Sequence, residues 1–247
     1  MIMNEELIRF EHVTKAYGET IALRDFSLSI ATGEFLTVIG RSGCGKTTAL
    51  KMINGLLRPD TGSVFVEGED VNHTDLIQLR RRIGYVIQNV GLFPHMSVEK
   101  NIAYVPSLTN RWDRRTRESK VAELLELVGL APGFASRYPP ELSGGQQQRV
   151  GIARALAAQP EILLMDEPFG AVDEITRRAL QEEIRSLHRQ LGVTILFVTH
   201  DIREAMRLGS RMMVMDMGEI VQIDTPSNIA VSPKNEFVRE LIWNQSY

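Results

Sequence analysis

A chain of 247 residues, 43% hydrophobic and 24% charged, is long enough for one large domain, or for a core with an inserted subdomain, around a substantial apolar interior. Its formal charge of −3, from 28 basic against 31 acidic side chains, argues against a general binder of nucleic acid or of anionic membranes. The lone cysteine, Cys44, excludes an intrachain disulfide, and no apolar run approaches the roughly 18 residues of a membrane helix. Met1-Ile2-Met3-Asn4-Glu5-Glu6 has neither the positive flank nor the apolar centre of a signal peptide. A soluble cytoplasmic chain is expected, any role at a membrane coming through a partner.

The first part reads as β. Ile8 to Val13 and Phe26 to Ile30 alternate in polarity, the second ending before the turn at Thr32-Gly33. Between them Tyr17 lies in a turn-like setting, where it is either an exposed aromatic able to stack on a nucleobase or a core tyrosine. The apolar run Phe35-Leu36-Thr37-Val38-Ile39 then passes through Gly40-Arg41-Ser42-Gly43-Cys44-Gly45-Lys46-Thr47-Thr48 into the helix-like Ala49 to Ile53. This is GxxxxGK[ST] between a buried-type strand and a helix, the context that a triphosphate site requires. Glycines let backbone N–H groups approach a crowded polyanion; Lys46 offers a point charge to the β and γ phosphates. Thr47 offers a hydroxyl to Mg²⁺, and the helix presents its positive end. The alternative, a glycine-rich turn capping an ordinary helix, leaves Lys46 and Thr47 at those offsets unexplained.

Gly62 to Gly68 looks like a hairpin arm, and Ile83 to Ile87 is a strand ending at Gln88, followed by a loop from Asn89 to His95. Such a glutamine can reach Mg²⁺ or its water, although most at strand ends are solvated. Arg80-Arg81-Arg82 and Arg114-Arg115 read most simply as solvated faces, contact with a partner being the lesser alternative. From Ser97 to Gln159 the chain is mainly helical, with Val121, Leu124, Leu125 and Val128 on one buried face. Here Ser143-Gly144-Gly145-Gln146 precedes a helix and offers a second anion-binding N-terminus. Ile162 to Met165 is apolar throughout, as a parallel strand covered on both faces must be, and delivers Asp166-Glu167 where α/β sheets place ligands. Asp166 can hold hydrated Mg²⁺, and Glu167 can take a proton from water attacking the γ-phosphate. A third strand, Val193 to Val198, ends at Thr199-His200-Asp201, which lifts His200 above the usual structural histidine. Two short strands around Asp216-Met217-Gly218 and a helix near Asn235 to Ile242 close the chain.

In order, the phosphate loop with Lys46, Gln88, Leu142-Ser143-Gly144-Gly145-Gln146, Asp166-Glu167 and His200 resemble the ATPase subunits of ABC transporters, and LSGGQ is the run that other phosphate-loop ATPases lack. The resemblance covers essentially the whole chain. It implies one domain over 1–247: an α/β core with a mostly parallel sheet and an N-terminal antiparallel β subdomain (about 1–88 and 160–247), and an inserted α-helical subdomain (about 89–159). It makes Tyr17 the adenine-stacking aromatic, Gln88 the Mg²⁺ and coupling glutamine, Glu167 the catalytic base and His200 the γ-phosphate switch. Asp173, in Gly170-Ala171-Val172-Asp173, becomes a dimer contact, although the family more often has Ser-Ala-Leu-Asp there.

The resemblance further implies a head-to-tail homodimer, or pairing with a related cassette. Each ATP would lie between one copy's phosphate loop and Ser143 to Gln146 of the other. A cassette separate from membrane helices is similar to importer subunits, implying permease partners, a solute-binding protein met indirectly, no nucleic acid, and a peripheral place on the cytoplasmic face of the membrane. Arg82 to Ile102 resembles importers of glycine betaine, carnitine or choline, many of which continue into a tandem CBS region; with the sequence stopping at Tyr247, osmotic sensing through such a region is not expected. Importers of another small solute (an amino acid, sulfonate or nitrate), and a DNA-associated ABC ATPase, are the alternatives. The resemblance does not touch Cys44: a thiol beside Lys46 and a helix N-terminus is expected to have a lowered pKa, so that alkylation inactivates and ATP protects, unless the side chain is simply buried.

Overall fold

The computed structural model describes residues 6–88 and 90–243, so the leader reading at Met1–Glu5 and the loop position Asn89 lie outside the described residues. The chain begins with β1 (Glu6–Tyr17), β2 (Thr20–Ala31), β3 (Phe35–Gly40), α1 (Lys46–Ile53), β4 (Thr61–Val66) and β5 (Glu69–Asp70). Then come α2 (Leu76–Arg82), β6 (Ile83–Val86), α3 (Val98–Ile102), α4 (Tyr104–Leu108), α5 (Arg114–Leu127) and α6 (Gly144–Ala157). The remainder is β7 (Ile162–Asp166), α7 (Glu174–Leu191), β8 (Thr194–Val198), α8 (Ile202–Leu208), β9 (Arg211–Asp216), β10 (Glu219–Asp224), α9 (Pro226–Val231) and α10 (Glu236–Trp243). These elements form two compact units, residues 1–80 with 192–247, and residues 81–191. Among the described residues no helix is long and apolar enough to cross a membrane.

In the first unit an antiparallel sheet runs in the order β2-β1-β4-β5. Its alternating strands turn one face inward, where Phe10 meets Phe26 edge-on with ring centroids 5.2 Å apart. Burying each such ring contributes about 1.5–3 kcal/mol, which is what the alternation in the sequence achieves. The parallel part behaves differently. β3 pairs in parallel with β8 and with β9, and β9 turns back antiparallel into β10. Phe35 to Ile39 and every residue of β8 are buried, the signature of strands covered on both faces. α8, α9 and α10 close one flank through Ile202, Ala205, Ile229, Val238 and Ile242, packed on Ile39, Met212 and Val214.

Arg80 is exposed, as a solvated face expects, and its Nε and Nη2 also donate to the carbonyls of Asn54 (3.1 Å) and Gly55 (2.9 Å), satisfying the end of α1. Its charge thereby lies at the C-terminus of α1, where the helix dipole favours a cation.

In the second unit β6 and β7 are parallel, with Tyr85 opposite Leu164 and Val86 opposite Met165. The helices α3 to α6 pack beside them. Asp113 starts α5 by accepting from the Thr116 N–H at 2.7 Å, and the helix buries Val121 and Leu125, with Val128 just beyond, leaving Leu124 only half-buried. Gly84 lies where a Cβ would stand 2.6 Å from the Ala155 carbonyl, so β6 and α6 approach more closely than any side chain would allow.

Candidate functional site

The first unit carries the phosphate loop, which is seated on a floor of neighbouring strands. A Cβ on Gly40 would run into the Met215 carbonyl, and one on Gly45, at φ +103°, into the Ala22 carbonyl and Leu23 Cδ2. Both positions therefore exclude every other residue type, and the loop rests on β2 and β9. The β9–β10 turn joins it: the Gly218 N–H donates to the Cys44 carbonyl (3.2 Å) and its own carbonyl accepts from Arg24 (3.0 Å). Nothing in the sequence marks Gly218 as a support of this loop.

Lys46, only 8% exposed, folds its Nζ onto the carbonyls of Gly40 (2.8 Å) and Arg41 (2.9 Å). A buried ammonium must have acceptors, and a polyphosphate is a better one than two carbonyls. Thr47 and Thr48 follow on the first turn of α1, half-buried. Arg41, Ser42 and Gly43 form the exposed rim, with the Arg41 guanidinium 4.7 Å from the centre of the Phe237 ring.

At Cys44 the structure goes against a lowered thiol pKa and matches the alternative of a buried side chain. Its side chain is 4% exposed, and burial pushes its pKa up from the ordinary 9.0. The Lys46 ammonium, 3.7 Å from Sγ, pulls the other way but less strongly. Loss of hydration of the thiolate outweighs the nearby cation, because that cation already faces two carbonyls.

His200 is exposed, two residues beyond Val198, which pairs with Val38. That register places it beside the carboxyl end of β3, from which the phosphate loop springs. Its neighbours are anchored: the buried Thr199 hydroxyl donates to Glu204 at 2.5 Å and accepts from the Asp201 N–H at 3.0 Å. Tyr17 ends β1 with half its surface exposed and Lys15 Nζ 5.9 Å from its ring centre. The core-tyrosine alternative is thereby removed.

The second unit holds the remaining residues. Gln88 Nε2 donates to Glu167 Oε2 at 2.9 Å, so the glutamine after β6 and the acid after β7 meet directly. Glu167 itself has φ +48°, a left-handed conformation that costs a non-glycine residue about 1–2 kcal/mol. The Gly170 N–H donates to its carbonyl at 3.3 Å and closes the turn that imposes it. Asp166 is buried at the end of β7, and its charge, after burial, helps raise the Tyr85 pKa.

Ser143 caps α6: its hydroxyl accepts from the Gln146 N–H at 3.3 Å, while Gln146 Oε1 accepts from the Ser143 N–H at 3.0 Å. The two signature glycines differ. A Cβ on Gly145 would stand 2.8 Å from the Ala171 carbonyl, whereas one on Gly144 would lie 3.9 Å from Ala171 Cβ. The run Ser143 to Gln146 is thus packed on Gly170-Ala171-Val172-Asp173, a contact that no local pattern in the sequence announces. Asp173 accepts from the Thr176 N–H at 3.0 Å, and that bond, helped by the Arg149 charge, holds its carboxyl below the usual value. Farther along α6, Arg154 donates from Nη2 to the Val90 carbonyl (2.8 Å) and from Nη1 to Gly91 (2.9 Å). The only hint of it in the sequence is a cation inside the small-residue stretch Ile152-Ala153-Arg154-Ala155.

A profile of the ABC transporter family matches residues 23–170 of the chain. The chain belongs to the ABC transporter family. This ABC chain is 52% identical over 240 residues to the glycine betaine/carnitine/choline transport ATP-binding protein OpuCA of Bacillus subtilis, covering 97% of itself and 63% of that protein. It is 51% identical over 234 residues to YehX, the ATP-binding protein of a glycine betaine uptake system of Escherichia coli, covering 95% of itself and 76% of YehX. The chain therefore spans less than two thirds of the length of OpuCA. Among solved structures, the ATP-binding cassette MJ0796 in a dimeric post-hydrolysis state with ADP and Pi superposes with a TM-score of 0.84 at 35% identity, covering 89% of this chain and 98% of that one. The α/β class, with an antiparallel N-terminal sheet and a parallel part flanked by helices, is the fold of these ABC cassettes.

Proposed function

We propose that the chain is the ATP-hydrolysing subunit of an importer for a small solute, a quaternary amine such as glycine betaine. It works as a head-to-tail pair on the cytoplasmic face of the membrane, beneath a separate permease. The observation that carries the ATPase reading is the phosphate loop, a glycine cradle in which a buried Lys46 ammonium rests on two carbonyls that a triphosphate can replace. The substrate class is supported by the likeness to OpuCA and YehX, whose names state glycine betaine. The dimer is supported by the likeness to dimeric cassettes. In the second copy, Ser143 to Gln146 on the N-terminus of α6 is the anion site that completes each nucleotide's surroundings.

In this reading Lys46 and the loop N–H groups from Gly40 to Thr48 bind the phosphates, Tyr17 stacks on adenine, and His200 donates to the γ-phosphate. Glu167 accepts the proton of the attacking water, and Gln88 holds its carboxylate in place. Mg²⁺ is assigned to the Thr47 hydroxyl, Gln88 and Asp166. One hydroxyl, one carboxamide and one carboxylate suit an ion that binds through few protein ligands and keeps phosphate oxygens and water. When bound, Mg²⁺ neutralises phosphate charge. Loss of the γ-phosphate loosens the pair, and that opening is the motion passed to the permease.

Replacing Glu167 by Gln keeps an oxygen facing Gln88 but removes the base. Binding of a fluorescent ATP analogue is expected to persist while turnover falls about 100- to 10,000-fold. Unchanged turnover refutes the base assignment. For the solute, uptake of labelled glycine betaine by cells expressing the chain with its permease is expected to vanish in the same variant; uptake of an amino acid, sulfonate or nitrate instead would replace the substrate class.

A further inference from the structure

We propose that Arg154 is a positioning residue for the hydrolytic step: it sets Gln88 against Glu167 by fastening the backbone just beyond Gln88 to the helix that begins at the signature run. The proposal rests on the roles given above to Gln88 and Glu167.

The segment from Val90 to Met96 is pinned at two places. At its far end Asn101, wholly buried on α3, closes a ring of bonds around Phe93: Oδ1 accepts from the Phe93 N–H (2.8 Å) and Nδ2 donates to the Phe93 and Met96 carbonyls (3.1 and 3.0 Å). The Phe93 ring lies 4.8 Å from that of Tyr104. At its near end the planar guanidinium of Arg154 spans two successive carbonyls, Val90 and Gly91. One turn earlier on α6, Gly151 lets the loop seat itself, since a Cβ there would stand 2.6 Å from Val90 Cγ1. Val90 is thus gripped by its side chain and its carbonyl, two residues from the carboxamide that meets Glu167.

The grip demands arginine. Two donors fixed in one plane match two neighbouring carbonyls, and a lysine ammonium at the same place can serve one of them without fixing direction. The helix that supplies the grip is the one capped by Ser143, so a displacement of the signature run along α6 is carried to the Gln88–Glu167 pair.

The test uses the full chain and reads kcat, KM for ATP and melting temperature. Arg154→Lys is expected to lower kcat about 10- to 100-fold, the size expected for a misplaced catalytic group, with KM within twofold of the parent. In a Gln88→Ala background, Arg154→Lys is expected to cause no further loss, because the residue through which it acts is gone. Gly151→Ala, which pushes Val90 away while leaving Arg154 in place, is expected to behave in the same way and serves if Arg154→Lys fails to fold. A folded Arg154→Lys with unchanged kcat, or losses that multiply with Gln88→Ala, overturns the proposal. Unchanged turnover in Gln88→Ala alone overturns the assignment of Gln88, and this proposal with it.

Discussion

Gly144 and Gly145 are adjacent in the same motif, yet alanine should affect them oppositely. At Gly145 the added methyl would stand 2.8 Å from the Ala171 carbonyl oxygen, with Ala171 C at 3.7 Å and Val172 Cα at 3.8 Å. All three are backbone atoms, so relief requires the Gly170–Asp173 turn to shift, at an overpacking cost of about 1–3 kcal/mol. Alanine returns about 0.5–1 kcal/mol in a helix, which leaves Gly145→Ala destabilised by up to about 2.5 kcal/mol. At Gly144 the nearest atom is a methyl at 3.9 Å, an ordinary contact, so only the helical gain remains. A free-energy change of 1 kcal/mol moves the melting temperature of a domain of this size by about 2–4 °C, so thermal unfolding resolves the pair. Gly144→Ala should melt at or slightly above the parent and Gly145→Ala several degrees below it. A Gly144 variant as damaged as the Gly145 variant would refute the packing argument, whatever either does to turnover.

Two further outcomes follow from the protonation of single groups. Cys44 is expected to resist a thiol reagent at neutral pH in the folded chain and to react fully once the chain is unfolded in denaturant; rapid labelling of the native protein would contradict the burial that raises its pKa. Asp173 has a folded pKa below the ordinary 3.8, chiefly through the Thr176 N–H, so its charge contributes stability that is complete above that value and fades as the pH falls below it. Because asparagine caps as well as aspartate, Asp173→Asn should isolate the charge, and the stability gap to the parent, followed by thermal melts between about pH 2 and 6, should close on the acid side. A gap that widens toward acid would reverse the assignment.

The sequence by itself determined what depends on neighbours along the chain. Period-two alternation in β1 and β2, apolar runs in β3, β7 and β8, and the glycines of the phosphate loop are all written locally, since each answers a constraint of backbone geometry or one-sided burial. The same locality made Gly40 to Thr48, Gln88, Asp166-Glu167 and His200 legible as candidates, each just beyond an apolar strand. Tertiary structure decided what depends on which atoms face each other. Cys44 illustrates this: Lys46 and the helix start were visible, but the burial that outweighs them comes from packing that includes Met215 at the Gly40 position and the Gly218 turn, over 170 residues later in the chain. Arg80 is exposed, as its neighbours in the chain suggest, but its bonds to the carbonyls of Asn54 and Gly55, just beyond the end of α1, are not legible locally. The contact of Gly145 with Ala171, the Gln88–Glu167 bond and the hold of Arg154 on Val90 and Gly91 likewise join residues with no common local pattern. Hydrogen bonds and van der Waals contacts act only within a few ångströms, so these pairings exist once the fold has brought distant segments side by side, and not before.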